Sequence, residues 1–584
     1  MTTHLSEEQR IAVNTGGHVL LTACPGSGKT RVLTFKVAHE LKRLSSNKKR
    51  VIALTFTNRA AEEIKRRITK LDIDTSQLWS GTIHAFCSEW ILRPYAGYLE
   101  ELKNGFVIAD EYKSEELISD LKKKYSFAFW ESITTRLLPD GNLAEIDTRF
   151  HDLLDEYHEM LKDEGLIDFD QMLYYAFKLL NEYPKIAKTL NNIFQLICVD
   201  EYQDTQQLQY DILSKIITAN DGKTRIFFVG DEDQAIYGSL GGVAKSLSEI
   251  KTEFKGINIQ SLALSGNYRS TQRIIDYYRN YQSSDIDIES LCDHKSEEGI
   301  ITYSRTIPFA GLENHIAEII QTNITNGIPE NEICVIAPQW WLVIPMGRKL
   351  KTLLPHVNFD AIGLSPLLKN RENFWFKVAR LFLIDPSPKM YVFRNRWARE
   401  LLEEMYAIGV HVLDRYERKP RQLLKIINSI KSDKATGLEY LEECFGQLGK
   451  ALEIDKEENP YLKQHWTYFF EGSRKRLNDS TFEYATDLLS YKRAFSHSTG
   501  VVVNTCHGIK GEEFHTVISF GLLHGYIPNW KESDPEAARK MLYVISSRAK
   551  KHLHLISETG HRTGSGNPYT ATGRLYSLDY EYNE

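Results

Sequence analysis

The segment ACPGSGKT, residues 23 to 30, constrains this chain most, because of what flanks it. His18 to Ala23 (HVLLTA) reads as a buried strand, and Leu33, Val37, Leu41 and Leu44 follow at helical spacing. Strand, glycine-rich turn and helix in that order make a phosphate loop. Through Ala23, Cys24, Pro25, Gly26, Ser27 and Gly28 the turn aims its available N–H groups at phosphate oxygens, helped by the positive end of the helix dipole. Lys29 reaches the outer phosphates and Thr30 offers a hydroxyl to Mg²⁺. Ala23 replaces the first glycine of the usual pattern. Alone, the segment means only that a nucleotide binds.

A second segment, LICVDEYQDT at 196 to 205, is an apolar strand ending in Asp200 and Glu201. Strand tips are where α/β sheets place their chemistry. Opposite a phosphate loop, Asp200 is expected to hold Mg²⁺ and Glu201 to orient and deprotonate the attacking water, since in-line displacement needs positioned charge more than covalent help.

Further strings follow in order: SEEQRIAV (6 to 13), ALTFTNRAAEEIKRRI (53 to 68), SGTIHAF (80 to 86), LIDFDQML (166 to 173), VGDEDQAIYG (229 to 238), SGNYRST (265 to 271), NTCHGIKGEEF (504 to 514) and YVISSRA from 543. With them the chain resembles, over nearly its whole length, the superfamily 1A DNA helicases of the UvrD, PcrA and Rep kind. The resemblance implies an α/β fold of two RecA-like parallel-sheet lobes, each with a mainly helical insertion, and an ATP- and Mg²⁺-dependent hydrolase moving 3′ to 5′ on single-stranded or tailed DNA.

The resemblance also assigns roles. Gln9 would read the adenine edge with its amide, Tyr268 would stack on the base with Arg31 close by, and Glu513 would accept from the ribose hydroxyl. Gln234 would sense the γ-phosphate, and Arg269 and Arg548 would cover it from the second lobe, a task suited to guanidinium groups because they stay charged and grip bidentately. On the DNA side, Phe56 and Tyr237 would offer ring faces to bases. Thr57, Asn58, Thr82 and His84 would hold phosphates or sugars, and His507 would join the two tracks. Without their motifs, Phe56 and Tyr237 read equally well as core aromatics, the arginines as surface ion pairs and His507 as a core histidine.

Departures stand beside the matches. Ser239 and Leu240 replace a Trp-Arg pair, Glu512 replaces a leucine, and Gly266 stands where glutamine is frequent. They bear on DNA grip rather than on ATP. Compact helicases of this shape also accompany a nuclease in Gabija-type antiphage systems, and the chain is similar to that subunit as well. A partner nuclease or ATPase subunit, with a part in antiviral defence and little unwinding alone, is therefore a second expectation.

The organisation suits a large enzyme. At 584 residues, 42% hydrophobic and 26% charged, the chain has length for about four domains. Residues 1–87 and 191–261 read as the first lobe, 88–190 as its insertion, 262–375 and 496–584 as the second lobe, and 376–495 as the insertion of that lobe. A net charge of -6 does not argue against DNA, because the strand lies in a local groove. The seven cysteines form no C-x-x-C pair, so neither zinc nor an iron–sulfur cluster is indicated. Their scatter, the polar start MTTHLSEEQR and the lack of a bilayer-length apolar run lead us to expect a cytoplasmic protein without a membrane span.

Overall fold

Two six-stranded, all-parallel sheets organise the chain. The computed structural model describes residues 5–583 except 110, 129, 221–222, 239–240, 368–372, 389, 414–418, 479–481, 494, 496–499, 531, 533 and 564–565. Ser239 and Leu240 thus lie outside the described residues.

The first sheet contains β1 (His18–Ala23), β2 (Arg50–Leu54), β3 (Leu78–Gly81), β4 (Phe194–Asp200), β5 (Arg225–Gly230) and β6 (Ile259–Leu264), in the order β3-β2-β4-β5-β1-β6. Alternate residues serve opposite faces, and both faces are covered over the central strands β4, β5 and β1, which are therefore largely apolar, whereas the edge strand β6 exposes Gln260 and Ser261. Val19, Leu21, Val51, Ala53 and Cys198 pack on Val32, Leu33 and Val37. Leu20, Ile52, Leu54, Ile197 and Phe228 face the opposite layer of helices. Because β6 pairs with β1 from His18↔Ile259 to Ala23↔Leu264, the chain leaves this sheet after Leu264, slightly later than the sequence suggests.

The second sheet contains β7 (Ile300–Ser304), β8 (Ile333–Ala337), β9 (Phe359–Ala361), β10 (Val501–Thr505), β11 (Phe514–Ser519) and β12 (Ala549–Ile556), ordered β7-β12-β11-β8-β10-β9. It too has an apolar layer on each face. These are the two RecA-like lobes. In each lobe the parallel strands bring their carboxyl ends to one edge, and the loops leaving those ends carry most of the residues singled out above.

The first insertion has its own small core, in which Leu117 and Leu121 meet Phe150, Leu153, Leu154, Tyr157 and Leu161. The helices Phe169–Glu182 and Pro184–Ile193, which the sequence leaves with that insertion, bury Met172, Ala176, Leu180, Ala187 and Leu190 in the core of the first sheet instead. The second insertion is a helical unit around Phe374, Trp375, Leu401, Leu423, Phe445, Phe470 and Tyr491. Among the described residues no helix is long and apolar enough to cross a membrane.

Candidate nucleotide site and nucleic-acid interface

The phosphate loop sits between two helices, α1 (Glu7–Asn14) and α2 (Lys29–Lys42). Gly28 takes φ 82° at the start of α2 and Gly26 takes φ 71°. A side chain at Gly26 would also strike the Arg269 Cβ at 2.7 Å, so the glycine permits the second lobe's arginine loop to approach. Ser6 caps α1 reciprocally with Gln9, and the buried Gln9 donates Nε2 to the Ser27 carbonyl at 2.9 Å. That fixes Gln9 against the loop. Tyr268 donates its N–H to the Gly26 carbonyl at 3.0 Å and leaves its ring 44% exposed. Arg31 is exposed on the first turn of α2. Lys29 rests on the Ala23 carbonyl at 3.4 Å and has no carboxylate in ion-pair contact among the described residues.

Asp200 and Glu201 part company electrostatically. Burial and the neighbouring Glu201 push Asp200 up to about 7, against the pull of Lys29. Burial also opposes the charge of Glu201, but Lys29, Lys510 and the Gln203 amide, which donates at 2.6 Å, overcome it and hold Glu201 below the usual carboxylate range. Glu201 adopts φ 51°, left-handed for a non-glycine residue at a strand tip. One group therefore stays ionised while its neighbour holds its proton more readily. The buried Asp200 Oδ1 has no hydrogen-bond partner. An orphaned carboxylate oxygen beside a phosphate loop fits a divalent ion, which Asp200 and the Thr30 hydroxyl would hold.

The second lobe delivers its arginines to this edge. Arg269 donates Nε to Glu513 at 2.7 Å and Nη1 to the Ser547 carbonyl at 2.7 Å. Arg548 is 1% exposed, and its Nη2 donates to Gln234 Oε1 at 2.7 Å, across the lobes. Burial, then the charge of Arg269, lower the Arg548 guanidinium to about 9. Gln234 in turn donates Nε2 to Asp231 at 2.7 Å. Thus Glu201, Gln234, Arg269, Arg548 and Glu513 come together around the loop that holds Lys29.

The nucleic-acid candidates line the opposite side of the same strand ends. Phe56, Thr57, Thr82, His84 and Tyr237 border a cleft of about 1890 Å³ that also reaches Asp200 and Glu201. Phe56 and Tyr237 stack on each other, centroids 4.7 Å apart and planes at 25°, so one face of each ring is already occupied. The Thr57 and Thr82 hydroxyls accept from Ala60 N–H at 3.2 Å and Ala85 N–H at 3.3 Å as helix caps. Burial lowers His84 to about 4, which keeps it neutral. His507 bonds the Ile236 carbonyl at 3.2 Å and receives Tyr237 OH on its own carbonyl at 3.3 Å. The side chain of Asn58 lies outside the described residues.

Two buried ion pairs between the lobes escape a motif-based reading. Lys510 grips Asp204 at 2.6 and 2.9 Å and donates to the Gln234 carbonyl at 2.6 Å. Asp233 accepts from Arg539 at 2.6 Å and also from the Ser283 hydroxyl and the Ser283 and Ser284 N–H groups. Asp204, Asp233 and Lys510 lie inside quoted motifs, where their charge is the available signal. Arg539, in EAARKML, carries none.

Two parallel-sheet lobes, a phosphate loop on one and arginines delivered by the other define a two-lobed P-loop protein of the RecA-like class. Residues 5–255 match the UvrD/REP helicase N-terminal domain. It is similar to the ATP-dependent DNA helicase UvrD1 of Mycobacterium tuberculosis, 31% identical over 296 residues, covering 46% of this chain and 38% of the relative. It is equally similar to the ATP-dependent DNA helicase PcrA of Staphylococcus aureus, 31% identical over 291 residues, 47% of this chain and 39% of the relative. The match thus spans well under half the length of these curated relatives.

Proposed function

We propose that the chain is an ATP-dependent helicase and translocase that moves 3′ to 5′ along single-stranded DNA. The observation that supports this most is the buried contact of Arg548 with Gln234, a pairing of second-lobe arginine and first-lobe amide beside the phosphate loop. The names of UvrD1 and PcrA describe them as ATP-dependent DNA helicases, which supports the coarser part of this reading.

In this reading Gln9, Tyr268 and Arg31 hold the adenine, Glu513 the ribose, and the loop with Lys29 the phosphates. Mg²⁺ on Asp200 and Thr30 would neutralise charge on the outer phosphates. The ionised Glu201 takes a proton from the water that attacks the γ-phosphorus, as the bond to the ADP oxygen breaks. Arg269 releases Glu513 to meet the developing charge, and Arg548 and Gln234 complete the site when the lobes close. Loss of the γ-phosphate loosens that closure. Because Lys510 and His507 touch both the Gln234 loop and Tyr237, closure is mechanically tied to the Phe56–Tyr237 pair that grips bases. All seven cysteines are unpaired and buried, which supports a reducing, cytoplasmic setting.

A second reading, an ATP-hydrolysing sensor of DNA ends that serves a partner nuclease in phage defence, draws on the charge of the cleft. Its lining cations among the described residues are Lys65, Arg136, Lys377, Arg380 and Arg396, and carboxylates outnumber them. Such a lining opposes a phosphate backbone.

Steady-state ATPase with and without single-stranded DNA, beside strand displacement from 3′-tailed and 5′-tailed duplexes, separates the readings. Stimulation with displacement from the 3′ tail is expected. Stimulation without displacement selects the partnered sensor, and DNA-stimulated turnover that survives Lys29→Ala refutes both.

A further inference from the structure

The second insertion contains a cavity of about 510 Å³, lined by Pro386, Tyr391, Arg394, Arg421, Lys425 and Asn428 with neighbouring serines. This is the size range of small-ligand sites. Three of these residues are cations, and among the described residues none of the lining is acidic. Arg394 is 2% exposed. Its Nη1 donates to the Leu381 carbonyl at 2.7 Å and to the Ile384 carbonyl, and its Nη2 to Asn428 Oδ1 at 2.6 Å, all neutral acceptors. A guanidinium has five N–H donors and a charge, so this one keeps donors to spare, and among the described residues no carboxylate contacts it. Asp385, next to Pro386, pairs with Lys492, and its charge also acts on Arg394 without touching it.

Two independent features point the same way. The helix Tyr391–Ala407 starts at this cavity without a side-chain cap, so its first-turn N–H groups add positive potential. Tyr391, 43% exposed, has the Arg421 guanidinium 5.9 Å from its ring centroid, which makes an aromatic platform beside the charges.

We propose that this cavity is a binding site for a nucleoside phosphate, separate from the phosphate loop, with Arg394, Arg421 and Lys425 on the phosphate and Tyr391 under the base. The site is about ligand binding in the second insertion and does not depend on the helicase reading.

AMP is the probe, applied to the full chain carrying Gln9→Ala, Lys29→Ala and Tyr268→Ala so that neither the adenine contacts nor the phosphate loop contribute much. Lysine acetylation read by mass spectrometry should show Lys425 protected by AMP. Arg421→Glu should weaken AMP by about tenfold or more, the loss of one charge-assisted bond. Tyr391→Ala should reduce AMP to the affinity of inorganic phosphate. Both substitutions are at exposed positions, and circular dichroism checks that the variants fold. No protection of Lys425, an unchanged Kd in Arg421→Glu, or protection by a blunt DNA duplex but not by AMP would each overturn the proposal, the last by assigning the charges to a DNA backbone.

Discussion

Substituting Arg539 by methionine tests how the two lobes are registered. The Arg539 side chain is 10% exposed and pairs at 2.6 Å with Asp233, which is fully buried. Arg539 also donates to the Tyr281 carbonyl. Arg539→Met leaves Asp233 with the Ser283 and Ser284 donors, but removes the countercharge. Breaking a buried pair from one side costs about 3 to 5 kcal/mol, and the remaining donors favour the lower figure. Asp233 immediately precedes Gln234, and Arg539 lies on the helix Ala537–Ser546 that leads into Arg548. A loss of about 3 kcal/mol in lobe docking is therefore felt where Arg548 meets Gln234, equivalent to about a hundredfold in DNA-stimulated kcat. The KM for ATP should stay within about threefold, because Gln9 and the phosphate loop are untouched. A double-mutant cycle with Asp233→Asn should show strong non-additivity, as the two residues act as one unit. A kcat within about twofold of the parent, or two additive effects, would refute the reasoning.

Glu201→Gln should keep ATP bound while lowering turnover by at least about a hundredfold, the usual scale for a proton acceptor; filter binding and phosphate release measure the two separately. Phe56→Ala should weaken single-stranded DNA by about 1 to 3 kcal/mol in fluorescence anisotropy, the value of one stacked base, and an unchanged Kd would remove Phe56 from the track. Burial, against the Thr135 hydroxyl at 2.6 Å and Arg136, pushes Asp170 up from 3.8 to about 6. The folded protein then binds that proton more tightly than the unfolded chain, so its contribution is present below about pH 4 and lost as pH rises through about 6. Asp170→Asn should match the parent near pH 4 and exceed it by about 2 kcal/mol at pH 8 in urea unfolding; an equal gain at both pH values would contradict this.

Strand, turn and helix around ACPGSGKT and the acidic strand tip at Asp200 and Glu201 were legible in the sequence, because each is set by local periodicity and by glycine's access to left-handed backbone. The two-lobed parallel architecture came with the family resemblance that the ordered motifs carry. What the sequence could not decide is who meets whom. The helices Phe169–Glu182 and Pro184–Ile193 look like the charged insertion before them, and only packing against the sheet assigns them to the lobe. Phe56 and Tyr237 read separately as two platforms; the fold stacks them on each other. Arg539 looks like any helical arginine until Asp233 is found beside it, 306 residues away along the chain. The ionisation of the acidic pair likewise depends on burial and on Lys29 and Lys510 from distant loops. Local pattern fixes backbone conformation at short range, whereas desolvation and charge pairing are properties of the surroundings, and the surroundings exist only once the lobes have closed on each other.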